Sequence, residues 1–511
     1  MQEHTNNKTI AKNTLLLYIR LAFSMLVSLY TSRIILQVLG VTDMGINATV
    51  GGVVGFIGFL NAALSNGTSR FLTFALGKGD EDELQKTFST TFWVHAGLAV
   101  LIAVLLETVG LWFLYNKLII PADRMEAAVW VFHLSVISTV VGMTQVPYSA
   151  CVIAHEKMDM YAYTGIVDVV LKLVIVYILT IFDYDKLKLY SLLFFTVSLG
   201  MMLFYRWYCI SRFRECRLRL QFDKGIFKPV AEFSGWQLFA NISVALNGQG
   251  ILILLNMFFS PAVVAARAIS LQVNNVATQF MSNFRNAANP QIVKKYAAGD
   301  ISGSKELLTY SIIFSYYLML LMSLPICLLS HQLLELWLGQ VPEYADVFLS
   351  LVVIQGLFQV FNTGFYTAIY AKGRIKENAL TSPIISMCFF PIVYILFKRG
   401  YSPVALSWAF IVNSAILGII VKPILLVKIV GYEWKDFPPV FIPCIKVTLC
   451  SLPLPLLLAY YADNQSMNGV VYFFAQGSLC VLAVAVSTWF LGLNNEMRNK
   501  LLAIVRAKIR L

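Results

Sequence analysis

Apolar runs of about twenty residues recur along nearly the whole chain, and nothing else in the sequence restricts the fold as strongly. TLLLYIRLAFSMLVSLY, LAVLIAVLLETVGLWFL and LLTYSIIFSYYLMLLMSLPICLLS are examples. Each is close to the roughly 20 residues a helix needs to cross a bilayer. Barrel strands would be about half as long and would alternate in polarity. Charged residues make up only 13%, against about 25% in a soluble protein, and the mean hydropathy is +0.72. The class is therefore an all-α integral membrane protein.

Apolar windows place about fourteen transmembrane helices, over 14–38, 43–66, 89–115, 126–150, 161–182, 189–211, 231–258, 266–288, 307–330, 346–370, 379–397, 403–427, 441–461 and 469–491. The polar start MQEHTNNKTIAKN and the run after it lack a small-residue cleavage motif, so the first span is expected to be retained. With both termini cytoplasmic, 27 of the 39 Lys and Arg fall in inner segments and six in outer loops. Basic loops stay cytoplasmic, which selects this orientation. The net charge of +12 then faces anionic headgroups and does not call for nucleic acid. The eight cysteines show no CxxC or other metal-ligand spacing, so they read as small packing residues, and no metal site is expected. The five histidines are scattered and form no HExxH.

The basic and aromatic loop FYRWYCISRFRECRLRLQFDKGIFKPV lies near the middle of the chain. Six spans precede it, six follow, and two close the chain, which divides it into 1–222, 223–430 and 431–511. GTSRFLTFALGKGDEDELQKTF after the second span is echoed by NPQIVKKYAAGDISGSKELLTY after the eighth. Each runs from a polar span end through a Gly-Asp turn into the next helix. Two six-helix lobes in parallel repeat are expected, plus two C-terminal helices.

Polarity is concentrated in ARAISLQVNNVATQFMSNFRNAANP, residues 266–290. At about 100° per residue, Arg267, Ser270, Asn274, Thr278 and Arg285 share an arc of roughly 80°. Asn275, Gln279, Ser282, Asn286 and Gln272 widen it, while Ile269, Val273, Val276, Phe280 and Phe284 lie opposite. An Arg at the bilayer centre costs about 2.5–3.5 kcal/mol even on the lenient insertion scale. The polar face must therefore line a hydrated cavity, the reading preferred on the sequence, or act as hydrogen-bonding glue between helices. The second span holds the matching place and carries Asn47, Asn61, Asn66 and Arg70; Arg20 and Arg33 lie in the first. Asp168 and Lys172 are four residues apart and are expected to pair on one helix face.

At these residues the sequence resembles the multidrug/oligosaccharidyl-lipid/polysaccharide exporter superfamily, abbreviated MOP. ARAISLQVNNVATQF…NAANPQIVKKYAAGD and SRFLTFALGKGDEDELQKTF look like its polysaccharide, or O-antigen-type, flippase branch. The resemblance implies a V-shaped pair of six-helix lobes that works by alternating access in a bacterial inner membrane. Its cargo would be an undecaprenyl-pyrophosphate-linked oligosaccharide, flipped to the periplasmic leaflet for polysaccharide or lipopolysaccharide assembly, with assembly proteins as further partners. The resemblance carries the diphosphate-binding role to Arg267 with Asn274 and Asn275, and less directly to Arg20 and Arg285; Asn61 and Arg70 are the matching candidates in the first lobe. The chemistry agrees, because guanidinium offers a rigid donor fork to phosphate oxygens and amides suit sugars.

No cofactor is expected. H+ or Na+ is the coupling-ion candidate, with Asp168 and Lys172 as its residues, although buried carboxylates are fewer than in ion-coupled drug exporters. A drug exporter on the same scaffold is the rival reading. A membrane enzyme has little support, since the outer loops are short and no GxxxxGK[ST] occurs.

Overall fold

The computed structural model describes residues 2–155, 157–374, 376–464, 469–494 and 498. Side chains are described from 23 onward, apart from 59, 62, 63, 66, 158, 161, 162, 231–237, 239, 240, 280, 283, 286, 287 and 462–464. The described residues form helices and no strands. A lipid-facing chain must satisfy its backbone within each segment, and helices do so.

Two compact units divide the chain at Ala268/Ile269. The first contains α1 (Gln2–Phe56), α2 (Gly58–Lys78), α3 (Glu81–Leu105), α4 (Leu111–Lys117), α5 (Met125–Ala154), α6 (Met158–Ile181), α7 (Lys186–Arg212), α8 (Lys224–Ala245) and α9 (Ile251–Phe258). Helix α10 (Pro261–Ala297) runs across the boundary. The second unit continues with α11 (Ile301–Leu328), α12 (Ser330–Leu338), α13 (Ala345–Lys372), α14 (Lys376–Lys398), α15 (Ala405–Ala415), α16 (Lys422–Leu425), α17 (Pro438–Ser451), α18 (Pro453–Asn464) and α19 (Gly469–Ser487). Packing of α8 on α2 and of α9 on α1 gathers the seventh span with the first six. This division by contact differs from the three-part division by span count.

Each of the fourteen expected spans coincides with helix, and twelve helical stretches among the described residues are both long and apolar enough to cross a membrane. The first and second spans form one continuous helix except at Gly40, whose φ of 76° and ψ of 170° break it. From 41 the helix continues to Lys78 with a single turn at Ile57. That stretch and α10 are the long polar-faced helices. The Gly-Asp echo is structural. Gly79 and Gly299 both have positive φ, 76° and 81°. Asp80 caps α3 by accepting from the N–H of Asp82 and Glu83, and Asp300 caps α11 by accepting from Gly303. Large apolar side chains such as Leu26, Trp207, Phe474 and Leu482 are more than half exposed, as lipid-facing surfaces require.

Candidate functional site

Helix α10 carries the predicted cationic stripe, and its surroundings correct one expectation. Arg267 is not on an open, water-lined face: it is 2% exposed and among the largest fully buried side chains. In the second unit, Arg285 is 9% exposed; its Nη2 donates to the Thr363 carbonyl oxygen and, at 3.4 Å, to Thr367 Oγ1. Asn274 Oδ1 is also buried and faces Gly356, where a Cβ would come within 3.5 Å of it. Thr278 and Ser282 spend their hydroxyls on the carbonyls of Asn274 and Thr278 in the turn behind. For Asn274 and Arg285, then, the polar face packs onto α13 as helix-joining glue. The wheel had shown which residues share a face but not what covers it. Asn275 is exposed, unlike Arg267, Asn274 and Arg285.

A second buried cation lies close to the same stretch of α13. Lys422 is 2% exposed and starts α16 between two π-helical stretches, Ile416–Val421 and Leu426–Val430. Such π-helical turns often mark functional positions. Lys422 Nζ donates to Asn378 Oδ1 and, at 3.1 Å, to Ser382 Oγ of α14, and sits 5.4 Å from the Tyr366 ring centre. Thr367, the partner of Arg285, is the next residue on α13 and donates to Asn289 Oδ1 at 3.2 Å. Neither Arg285 nor Lys422 has a carboxylate partner among the described residues. Lys422 was not singled out from the sequence. Its signal was nonetheless present, since a lone lysine in ILGIIVKPILLV is by default a functional candidate inside a membrane.

The first unit places two carboxylates within its candidate spans. Asp168 Oδ2 accepts from Lys172 Nζ at 2.7 Å, the pairing that the spacing predicts. Asp168 also lines a cavity of about 300 Å³ with Gln145, Ser149, Thr164, Ser198 and Tyr205. Both polar atoms of the Gln145 amide are buried without a hydrogen-bond partner. Thr164 Oγ1 and Tyr205 Oη are 2.6 Å apart. A second intramembrane carboxylate, Glu107, meets His133 at 3.0 Å. Asn61 Oδ1 is buried without a partner, whereas Arg70 is exposed with its guanidinium 5.9 Å from the Phe71 ring centre. Arg20 lies in α1, its side chain outside the described residues.

The chain is a multi-pass helical membrane protein with Arg285 and Lys422 buried among neutral partners in the second unit and an Asp168-lined pocket in the first. The MatE family model matches residues 238–398. A solved structure titled lipid II flippase MurJ, inward closed conformation, is similar at a TM-score of 0.69 and 14% identity, over 93% of this chain and 98% of that one. An inward-facing multidrug resistance MATE family transporter of the MOP superfamily is similar at a TM-score of 0.66 and 13% identity, over 81% of this chain and 98% of that one. No curated protein matches the sequence. These similarities give the chain the fold shared by those two structures, with the MatE match confined to residues 238–398.

Proposed function

We propose that the chain flips an undecaprenyl-pyrophosphate-linked oligosaccharide from the cytoplasmic to the periplasmic leaflet of a bacterial inner membrane, by alternating access. One observation supports this most directly: Arg285 and Lys422 are buried in the second unit with neutral partners only. Burying a cation without a counter-charge is costly, and an anionic headgroup would repay the cost. The diphosphate binds these two cations, while Asn289, Asn378 and Ser382 supply hydrogen bonds. Arg267 contributes only in a conformation that uncovers it. An inside-negative potential favours export of an anion by about 2.3 kcal/mol per charge for each 100 mV. The Asp168–Lys172 pocket is the proposed H+ or Na+ site.

The rival, a cation-coupled drug exporter, is favoured by that same carboxylate-lined pocket in the first unit. One experiment separates the two. Wild type, Arg285→Ala and Lys422→Gln are reconstituted in proteoliposomes and assayed with a fluorescent polyprenyl-diphosphate oligosaccharide. Loss of one charge-assisted hydrogen bond predicts flipping slowed about 10–100-fold in each variant, with ethidium transport absent throughout. Unchanged flipping, or ethidium transport abolished by Asp168→Asn, would overturn the flippase reading.

A further inference from the structure

At one end of the first unit, three metal-ligating side chains converge from two segments about sixty residues apart, with a second cysteine beside them. Cys151 and His155 are one helical turn apart at the end of α5. Glu215 and Cys216 belong to a 3-10 turn, Arg214–Cys216, just after α7. Cys151 Sγ lies 3.2 Å from Glu215 Oε1 and 3.5 Å from Cys216 Sγ, and His155 Nε2 lies 2.5 Å from Glu215 Oε1. The ligand atoms of Cys151, His155 and Glu215 all fall within 4.8 Å of one another. Cys151, Glu215 and Cys216 are buried. His155 is half-buried, its ring stacked on Phe213 at 4.2 Å and 14°.

We propose that Cys151, His155, Glu215 and Cys216 form a binding site for a divalent cation of the zinc class. Thiolate, imidazole and carboxylate together suit Zn2+, whereas Mg2+ and Ca2+ want oxygen alone. Tetrahedral zinc with Zn–S of about 2.3 Å places two thiolates about 3.8 Å apart. Cys216 already stands 3.5 Å from Cys151, and it must turn toward His155 and Glu215, whose ligand atoms group with Cys151 without it, to complete the site. The His155–Glu215 contact must open further, toward about 3.3 Å. Ligands are also held in place by contacts that need no metal. Gln85 Nε2 donates to the Arg217 carbonyl at 2.9 Å and Trp93 Nε1 to that of Arg219 at 3.0 Å, so α3 fixes the strip carrying Glu215 and Cys216. A cavity of about 710 Å³ lined by His155, Glu215, Arg212, Arg217, Asp82 and Gln85 gives an entry path. On binding, zinc replaces the thiol protons of its cysteine ligands, which leave to water, while His155 ligates through the lone pair of a neutral ring nitrogen. The site ties α5 to the start of the loop that leads into α8. The cysteines concerned are therefore more than the packing residues their sequence spacing suggested.

The test uses the full-length protein in detergent, stripped with a chelator, with Zn2+ added and excess removed, then analysed by elemental mass spectrometry. About one Zn2+ per chain is expected. Cys151→Ser and His155→Ala should each hold less than about one tenth of that, and Glu215→Gln should bind about tenfold more weakly. Replacement by Co2+ should give thiolate-to-metal charge-transfer absorption in wild type that Cys216→Ser diminishes, a readout for variants that stay monodisperse. Absence of zinc from wild type, equal zinc in the Cys151→Ser and wild-type proteins, or a Co2+ spectrum without thiolate bands would overturn the proposal. These results do not depend on what the protein transports.

Discussion

Gly418 shows how closely the helices around Lys422 are packed. A Cβ there would lie 2.8 Å from the Phe358 carbonyl oxygen and 3.2 Å from the Asn362 nitrogen, both backbone atoms of α13. At Gly356 the obstacle is nearer, Met319 Cε at 2.2 Å, but it is the free end of a flexible side chain that can rotate away. Gly418→Ala is therefore expected to cost about 1–3 kcal/mol of stability, with Gly356→Ala costing less. Thermal unfolding in detergent, followed by tryptophan fluorescence, measures both; a Gly418→Ala protein as stable as Gly356→Ala would contradict the close approach. Residue-level legibility follows the distance over which the physics acts. The Asp168–Lys172 pair could be read because its spacing is local. What covers Arg267, and what lies against Gly418, depends on segments far away in the chain and left no mark in the local pattern.

At the scale of elements, the two Gly-Asp turns are the clearest repeat. Each stops a long polar-faced helix with a left-handed glycine and starts the next with an aspartate cap. The Gly303 backbone N–H, with Ser302 and Lys295, holds the Asp300 carboxyl below its ordinary value near 3.8. A depressed native pKa gives stability that is complete above the unfolded value and disappears as pH falls through the native one. Asp300→Ala should thus lower the Tm at pH 7, and the gap from wild type should close as pH falls below the ordinary carboxylate value near 3.8. A gap independent of pH would mean that the ionised cap is not what holds the start of α11. This turn was legible because its chemistry is local. The π-helical stretches flanking Lys422 were not, since the apolar run ILGIIVKPILLV carries no signal that separates α from π winding. Nor was the cluster of Cys151, His155, Glu215 and Cys216, because only folding brings its two halves together.

For the whole molecule, the distribution of charge governs which side of the membrane each loop faces. Six basic residues fall in the loops assigned to the outside, and several of these are neutralised where they stand. Arg124 donates to Asp43 and, at 2.9 Å, to Asp185, while Lys188 meets Glu126 at 2.5 Å. The segments assigned to the inside hold 27 Lys and Arg, a surplus that their acidic partners, such as Glu81 and Asp82, do not match. Translocating a loop with that surplus is disfavoured, so the termini and the 206–230 loop should be cytoplasmic. Cysteine placed at Asp183, which is fully exposed, should react with a membrane-impermeant maleimide on intact cells. Cysteine at Ser302, beside the second Gly-Asp turn, should react only after the membrane is opened. The background carries serine at the exposed Cys388 and Cys450 so that they add no signal. Reversed labelling would place the basic loops outside, reverse the direction in which the membrane potential helps an anion, and remove the energetic basis for outward flipping of a diphosphate.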